Sequence, residues 1–349
     1  MLERLAVLPV EAAQHLAVPR GTGLVLARRA RRILTPFLSR SAAVAGRTAH
    51  GACLMTTQHL PDHDTTAASG ADQTEPRSTG RIVAVVGDPT TAAQAHRYAT
   101  LIHELAGLRS QVILLGRTGQ RQVQDQPEHV QLPPGTGAVV LVGTPPDHIL
   151  EPRDPADPVP VLVDQDIAAV AVTAALLTTL SRRGRAPRAS RVVVAGADTL
   201  PMLCRLLVAA GIGDITTWKT KDAVAFPLRR VAEGVDAVID LLGVWPAHGH
   251  ATVDSGEPAV IAPDAERDPL LALPGLVRAT SQVARAEAAV ALDVEVHLAC
   301  ALALVMATPS DQQLPPMPDR ALADRVADAA THALDARVPH PRTTSRSGR

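Results

Sequence analysis

The chain has 349 residues, 46% of them apolar, 1% aromatic and a formal net charge of -1. That length fits one large domain or two ordinary ones, with a core built from Ala, Val and Leu. Five aromatic residues cannot make a stacking surface for single-stranded nucleic acid, and the charge gives no footprint for nucleic acid or an anionic membrane.

All but two of the 34 basic residues are arginine, so a mechanism needing a lysine has only Lys219 and Lys221, and one needing a phenol has only Tyr98. Cys53, Cys204 and Cys300 are odd in number and lack a CxxC spacing, which points to a reducing compartment. The start lacks a basic n-region followed by an apolar h-region, and no apolar run approaches the roughly 20 residues of a bilayer span. The expectation is a soluble cytoplasmic protein.

Residues 1–55 give a weakly helical segment that includes Arg28, Arg29, Arg31 and Arg32, either an anion patch or a solvated helix face. Residues 56–80 read as a disordered linker rich in Thr, Asp, Pro and Gly. Met55 opens that linker and is an alternative start.

From residue 81 strands and helices alternate. RIVAVVGD, SQVILLG and GAVVLVGT read as buried strands, with a helix over 96–108, and this α/β unit ends near residue 158. PVLVDQD is a short strand and turn, followed by a long apolar helix over 168–182. RVVVAGA begins a second series: a helix over 201–211, strand DITTW, a helix over 224–233, and strands DAVIDLLG and PAVIAP. Two helices, over 284–306 and 319–337, precede a disordered tail at 338–349. The fold class is α/β, with two Rossmann-like units, the second a doubly wound parallel sheet.

Five stretches in order carry a family resemblance: PVLVDQDIAAVAVTAALLTTL at 160–180, RVVVAGADTLPMLCRLLVAAGIGDI directly after it, VAEGVDAVIDLLGV, DPLLALPGLVRAT and QQLPPMPDRALADRVADAATHAL. Together they resemble the malic enzymes, oxidative decarboxylases that convert malate to pyruvate with NAD(P) and a divalent metal. The likeness covers about 160–334 well and 81–154 loosely. It implies a malic-enzyme N-terminal-like unit at 81–158, an NAD(P)-binding-like Rossmann domain at 159–337, and a homodimer. Leu34-Thr35-Pro36 is a possible remnant of the family's YTPG motif.

The resemblance also implies a chemistry of carboxylates on a hard cation, a lysine base and a tyrosine acid. The chain departs from it at each point. In VDQD, Asp164 keeps the family's first Asp, but Gln165 stands where a metal ligand belongs, and a neutral amide lacks the charge such sites depend on. No carboxylate lies between Glu128 and Asp147, where the strand GAVVLVGT would offer one. Asp166 is a substitute ligand if the motif shifts by one residue; otherwise Asp164 and Asp166 serve a turn and helix N-cap before Ile167. A divalent metal is therefore not expected. The family lysine falls at or beside Tyr98, and the remaining acid or base candidates nearby are His96 and His103, seven residues apart.

The nucleotide turn is Gly196-Ala197-Asp198-Thr199-Leu200-Pro201. Asp198 brings a negative side chain to where a pyrophosphate would rest, and Pro201 replaces the third glycine. Asp198 or Thr199 would make an N-cap, giving a self-capped helix rather than a phosphate cradle. Lys219, with Lys221 nearby, follows the next strand where an acidic residue usually holds the ribose, favouring NADP over NAD if either binds. The family's paired asparagines become Asp268-Pro269, and Gly275 and Arg278 match but serve a turn and helix start equally well. His59 with His63, and His248 with His250, lack a third metal ligand.

The reading is a degenerate malic-enzyme-like protein acting as a non-catalytic scaffold or a regulatory, ligand-sensing subunit for a small molecule. The alternative is a divergent NAD(P)-dependent malic enzyme or related oxidoreductase using Asp164, Asp166 and a histidine such as His103.

Overall fold

A computed structural model describes residues 81–115, 132–143, 159–245, 257–282 and 292–336. The N-terminal segment, the linker, the YTPG-like tripeptide and both histidine pairs lie outside the described residues, as do 284–291 and the tail.

Two parallel sheets of four strands each form the framework. The first has the order β2-β1-β3-β4, with β1 at Ile82–Gly87, β2 at Arg109–Leu114, β3 at Thr136–Val142 and β4 at Val161–Val163. The second has the order β6-β5-β7-β8, with β5 at Arg191–Ala195, β6 at Asp214–Trp218, β7 at Ala237–Asp240 and β8 at Ala259–Ile261. Seven α-helices accompany them among the described residues: α1 Ala92–Leu101, α2 Asp164–Arg182, α3 Leu203–Ala209, α4 Leu228–Val231, α5 Asp268–Gln282, α6 Val294–Ala307 and α7 Arg320–Asp335.

Alternation along each strand divides the side chains between two faces. Val83 and Val85 of β1, Val140 of β3, Val192 and Val194 of β5, and Ile239 of β7 all enter one continuous core. The same core takes α2, whose apolar residues are buried on every side because the helix packs against strands of both sheets and against α3, α5 and α6. The opposite faces form smaller clusters, Ala84, Val86, Val139 and Leu141 in the first sheet, and Val193, Ala195, Val238 and Trp218 in the second.

Several local expectations are corrected. The first helix begins at Ala92, four residues early, because Asp88 accepts from the backbone N–H groups of Thr90 and Thr91 at 2.8 and 2.9 Å and ties down the turn before it. It continues as a π turn at Ile102–Ala106. Helix α2 begins at Asp164 itself; its N-cap is Val163, so Asp164 and Asp166 sit in the first turn rather than capping it. The helix expected over 224–233 shrinks to α4, because Pro227 fixes its start.

Pro274 and Gly275 lie inside α5, not in a turn. Gly275 lets α5 lie directly on α7: a Cβ there would fall 2.6 Å from the Ala323 carbonyl oxygen. Arg278 of α5 pairs with Asp324 of α7. Helices α5 and α7, although they follow the second sheet in sequence, also pack on the first unit's π turn. The Arg320 guanidinium donates to the Glu104 carbonyl at 3.3 Å, and that of Arg81 to the Ser281 carbonyl at 2.9 Å. No helix among the described residues is long and apolar enough to cross a membrane.

Candidate functional site

Each sheet changes direction of winding between its two central strands, and the crevice at the carboxyl ends of those strands is where open α/β sheets place ligands. In the first sheet this point lies between β1 and β3, bounded by Gly87–Thr91 on one side and Gly143 on the other. Asp164 reaches it from α2: the Gly143 N–H donates to Asp164 Oδ2 at 2.9 Å. The other carboxylate oxygen, Oδ1, is buried without a hydrogen-bond partner. Burial pushes the Asp164 carboxyl above its ordinary value, against the opposing pull of the Gly143 and Gln165 N–H groups, and the neighbouring Asp166 adds to the rise.

Tyr98 lies close by and is fully buried. Its hydroxyl accepts from Gln94 Nε2 at 2.9 Å, and burial, reinforced by the charge of Asp164, drives the phenol well above its usual range. The phenol thus keeps its proton at any physiological pH.

Asp166 turns toward α3 and α6 instead. Burial raises its carboxyl, while His297 of α6 and Arg205 of α3 pull it down. His297 is buried and its Nδ1 contacts the Asp293 carbonyl oxygen at 2.7 Å; burial depresses the imidazole, with Asp166 opposing. Neither His297 nor Arg205 was legible as a site residue, because each stands singly in an apolar helix. His103 is exposed on the π turn, and it is absent from the groups that bear on Asp164 or Asp166. His96 is exposed on α1, with Nδ1 2.8 Å from the Ala92 carbonyl oxygen.

The second crevice lies between β5 and β7. Gly196 follows β5 with φ of 82°, and a Cβ there would lie 2.6 Å from Leu242 Cγ, so the Leu242 side chain sits against the turn. Ala197–Thr199 form a single 3-10 turn, and α3 starts only at Leu203. The expected N-cap is therefore absent: Thr199 Oγ1 donates back to the Gly196 carbonyl at 2.8 Å, and Asp198 accepts from Lys219 Nζ at 3.1 Å. That hydrogen bond, supported by the charges of Lys219 and Lys221, holds the exposed Asp198 carboxyl below its ordinary value. Lys221 lies in the next short turn, Thr220–Asp222.

Across the crevice Asp240 ends β7, buried, with Oδ1 accepting from the Leu242 N–H at 3.2 Å and Oδ2 from the Trp245 N–H at 2.7 Å. It fastens the loop that carries Leu242. The strand pattern DAVID placed this carboxylate at a strand end, but nothing in the pattern revealed its two backbone bonds. Asp268, where the resemblance would put an asparagine, is buried and paired with Arg267 at 2.9 Å. Among the described residues, no three His, Cys, Asp or Glu side chains are grouped to hold a metal ion.

No family model matches the chain, and no curated protein matches it in sequence. Its fold is nevertheless that of solved malic enzymes. The Pyrococcus horikoshii malic enzyme superposes with a TM-score of 0.55 at 16% identity, over 75% of this chain and 78% of the other. The Entamoeba histolytica malic enzyme gives 0.54 at 17% identity, over 96% and 86%. The NAD-dependent malic enzyme of Thermotoga maritima gives 0.53 at 16%, over 72% and 84%.

Proposed function

We propose that this chain carries the malic enzyme fold without the decarboxylase chemistry, and works as a non-catalytic scaffold or a regulatory, ligand-sensing subunit. The observation that carries the reading is the ion pair from Asp198 to Lys219 at 3.1 Å. A nucleotide turn offers backbone N–H groups and positive potential to a pyrophosphate. Here the turn offers a carboxylate, and the nearest lysine is already committed to it.

The other parts agree. A divalent cation calls for several hard, charged oxygens. Gln165 supplies none, and Asp164 spends one oxygen on the Gly143 N–H and keeps the other buried. The donor set does not fit the metal. Tyr98, at or beside the place the resemblance gives to the lysine base, holds its proton too tightly to accept another.

The second reading is a divergent NAD(P)-dependent malic enzyme or related oxidoreductase, and Gly196 supports it by keeping the positive φ of a nucleotide turn. Thermal denaturation of the full chain with NADP, NAD, malate and Mn, singly and in combination, separates the two. The non-catalytic reading expects no NADPH or NADH formed from malate and no stabilisation by cofactor and metal together, while a shift from a single ligand selects its ligand-sensing form over the scaffold. A ligand at about 100 times its Kd stabilises by about 2.7 kcal/mol, well within detection. Clear stabilisation by cofactor and metal together would overturn the scaffold reading. We extend the family's dimer to this chain as part of the proposal, and light scattering tests it.

A further inference from the structure

A turn that binds a diphosphate presents three things to it: space over a glycine, backbone N–H groups and a cation. At the second crevice each of them is met by the chain itself.

The space is filled by Leu242. Gly196, with φ of 82°, leaves open the place where a side chain would stand, and a Cβ built there would lie 2.6 Å from Leu242 Cγ, 2.7 Å from Cδ2 and 3.2 Å from Cδ1. The whole branched end of Leu242 thus lies on the glycine, in the gap that lets a backbone and a phosphate come close.

Leu242 is held there from several directions. The Leu241 N–H donates to the Ala195 carbonyl at 3.1 Å, which carries the β5–β7 ladder one residue past the end of β7. Asp240, buried, then takes the N–H groups of Leu242 at 3.2 Å and Trp245 at 2.7 Å. Leu242 also packs against the small apolar cluster of Val193, Ala195, Val238 and Trp218. Trp218 is itself fixed, because its Nε1 donates to the Phe226 carbonyl at 2.7 Å and so ties down the loop at 219–227. Swinging Leu242 out would expose apolar surface and take an N–H donor from a buried carboxylate.

The donors and the cation are likewise taken up. Asp240 acts as an internal carboxylate for the loop after β7. Asp198 does the same for the turn after β5, accepting from Lys219 Nζ at 3.1 Å and from its own backbone N–H. The Gly196 N–H goes to the Trp218 carbonyl at 2.9 Å. The charged side chains in the segments that border the crevice, 196–202, 219–222 and 240–245, are Asp198, Asp222 and Asp240 against Lys219 and Lys221. They leave no positive excess for a diphosphate.

We propose that Leu242 is the specificity-determining residue of the second crevice. Its side chain takes the place of a ligand's diphosphate, and replacing it together with Asp198 turns a self-filled crevice into one that binds a dinucleotide, NADP before NAD. Lys219 and Lys221, released from Asp198, then meet the 2′-phosphate. The inference rests on the reading of the nucleotide turn given above and names the residue that closes it.

The test takes the full-length wild type, Leu242→Ser, Asp198→Gly and the double variant, and reads melting midpoints with NADP, NAD and inorganic pyrophosphate. The expected result is no shift for the wild type or for Asp198→Gly, in which Leu242 still fills the gap. The double variant rises by several degrees with NADP, which binds about tenfold tighter than NAD. Pyrophosphate shifts it in the same direction, which places the gain at the gap. Leu242→Ala is carried through the same series, so that a polar serine among apolar neighbours does not decide the outcome. Binding by Asp198→Gly equal to that of the double variant overturns the proposal, because Asp198 alone then excludes the ligand. Double variants that fold and show no shift also overturn it. A wild-type shift with NADP alone overturns it while leaving the non-catalytic reading in its ligand-sensing form; NADPH formed from malate is what overturns that reading. A readout without ligand is Gly196→Ala, which lowers the midpoint more in the wild type than in Leu242→Ala, where only the cost of the positive φ remains. An equal loss in the two backgrounds refutes the placement of Leu242 on the glycine.

Discussion

Replacing Gly275 by alanine isolates the packing of α5 on α7. The added Cβ would lie 2.6 Å from both the Ala323 carbonyl oxygen and Val326 Cβ, and 2.8 Å from Val326 Cγ1. Ordinary van der Waals contact between such atoms begins near about 3.5 Å, so the two helices must separate by about 1 Å or tilt. The Ala323 oxygen belongs to helix backbone and cannot rotate aside. Overpacking of this kind costs about 1–3 kcal/mol. Because that oxygen cannot yield, the cost falls at the upper end of this range; the better helix propensity of alanine returns at most about 1 kcal/mol, so a net loss of about 2 kcal/mol is expected. In a chain of this size that lowers the melting midpoint by several degrees, roughly 2–4 °C per kcal/mol. Circular dichroism melts of Gly275→Ala measure it, and Gly275→Ala with Val326→Ala recovers part of the loss by removing the side-chain half of the clash. A Gly275→Ala protein as stable as the wild type would refute the close approach of the two helices.

Three further outcomes follow from the two crevices and the loop. Asp164 has its carboxyl raised above 3.8 by burial, so the folded chain binds its proton more tightly than the unfolded chain. That contribution to stability is complete below 3.8 and falls as pH rises through the elevated folded value. Asp164→Asn removes this fall, so urea denaturation across the acidic range shows a flatter stability profile; an unchanged profile refutes the assignment. Lys219→Ala leaves the melting temperature unaltered, since the pair is exposed, but raises the Asp198 carboxyl toward its ordinary value in an NMR titration. An Asp198 titration that does not move contradicts the pairing. Trp218→Phe keeps most of the ring and deletes the bond to the Phe226 carbonyl, costing about 0.5–1.5 kcal/mol. Hydrogen exchange in 219–227 then accelerates, and unchanged exchange would show that the loop is held by something else.

The parallel sheets were legible because buried strands such as IVAVVG and TGAVVLV have almost no other reading, and the turn residues between them set the βα rhythm. The helix at Asp268–Gln282 was not, because Pro274-Gly275 reads as a turn in isolation and only the approach of α7 explains a glycine in mid-helix. The stretch 224–233 misled in the opposite direction: its composition suits a helix, yet the Trp218 indole draws the Phe226 carbonyl into a different bond. Substitutions in the nucleotide turn could be read directly, but the partner of Asp198 could not, since Lys219 comes from the next strand's end. Asp166 was noticed for its place in a motif, whereas His297, which bears on it, comes from a helix more than a hundred residues later. Long-range electrostatic partners leave no local pattern.

The return of α5 and α7 to the first unit also sets a timetable for synthesis. Arg81 waits for Ser281, 200 residues on, and Glu104 waits for Arg320, 216 residues on. At the usual pace of about 5–20 residues per second, β1 and α1 leave the ribosome about 10–40 s before the helices that complete their packing. For that interval the nascent chain displays the apolar face of its first sheet without its final cover. Bicistronic expression of a chain truncated before α7 would prolong that state, and such a chain should be retained by chaperones rather than accumulate as a soluble half.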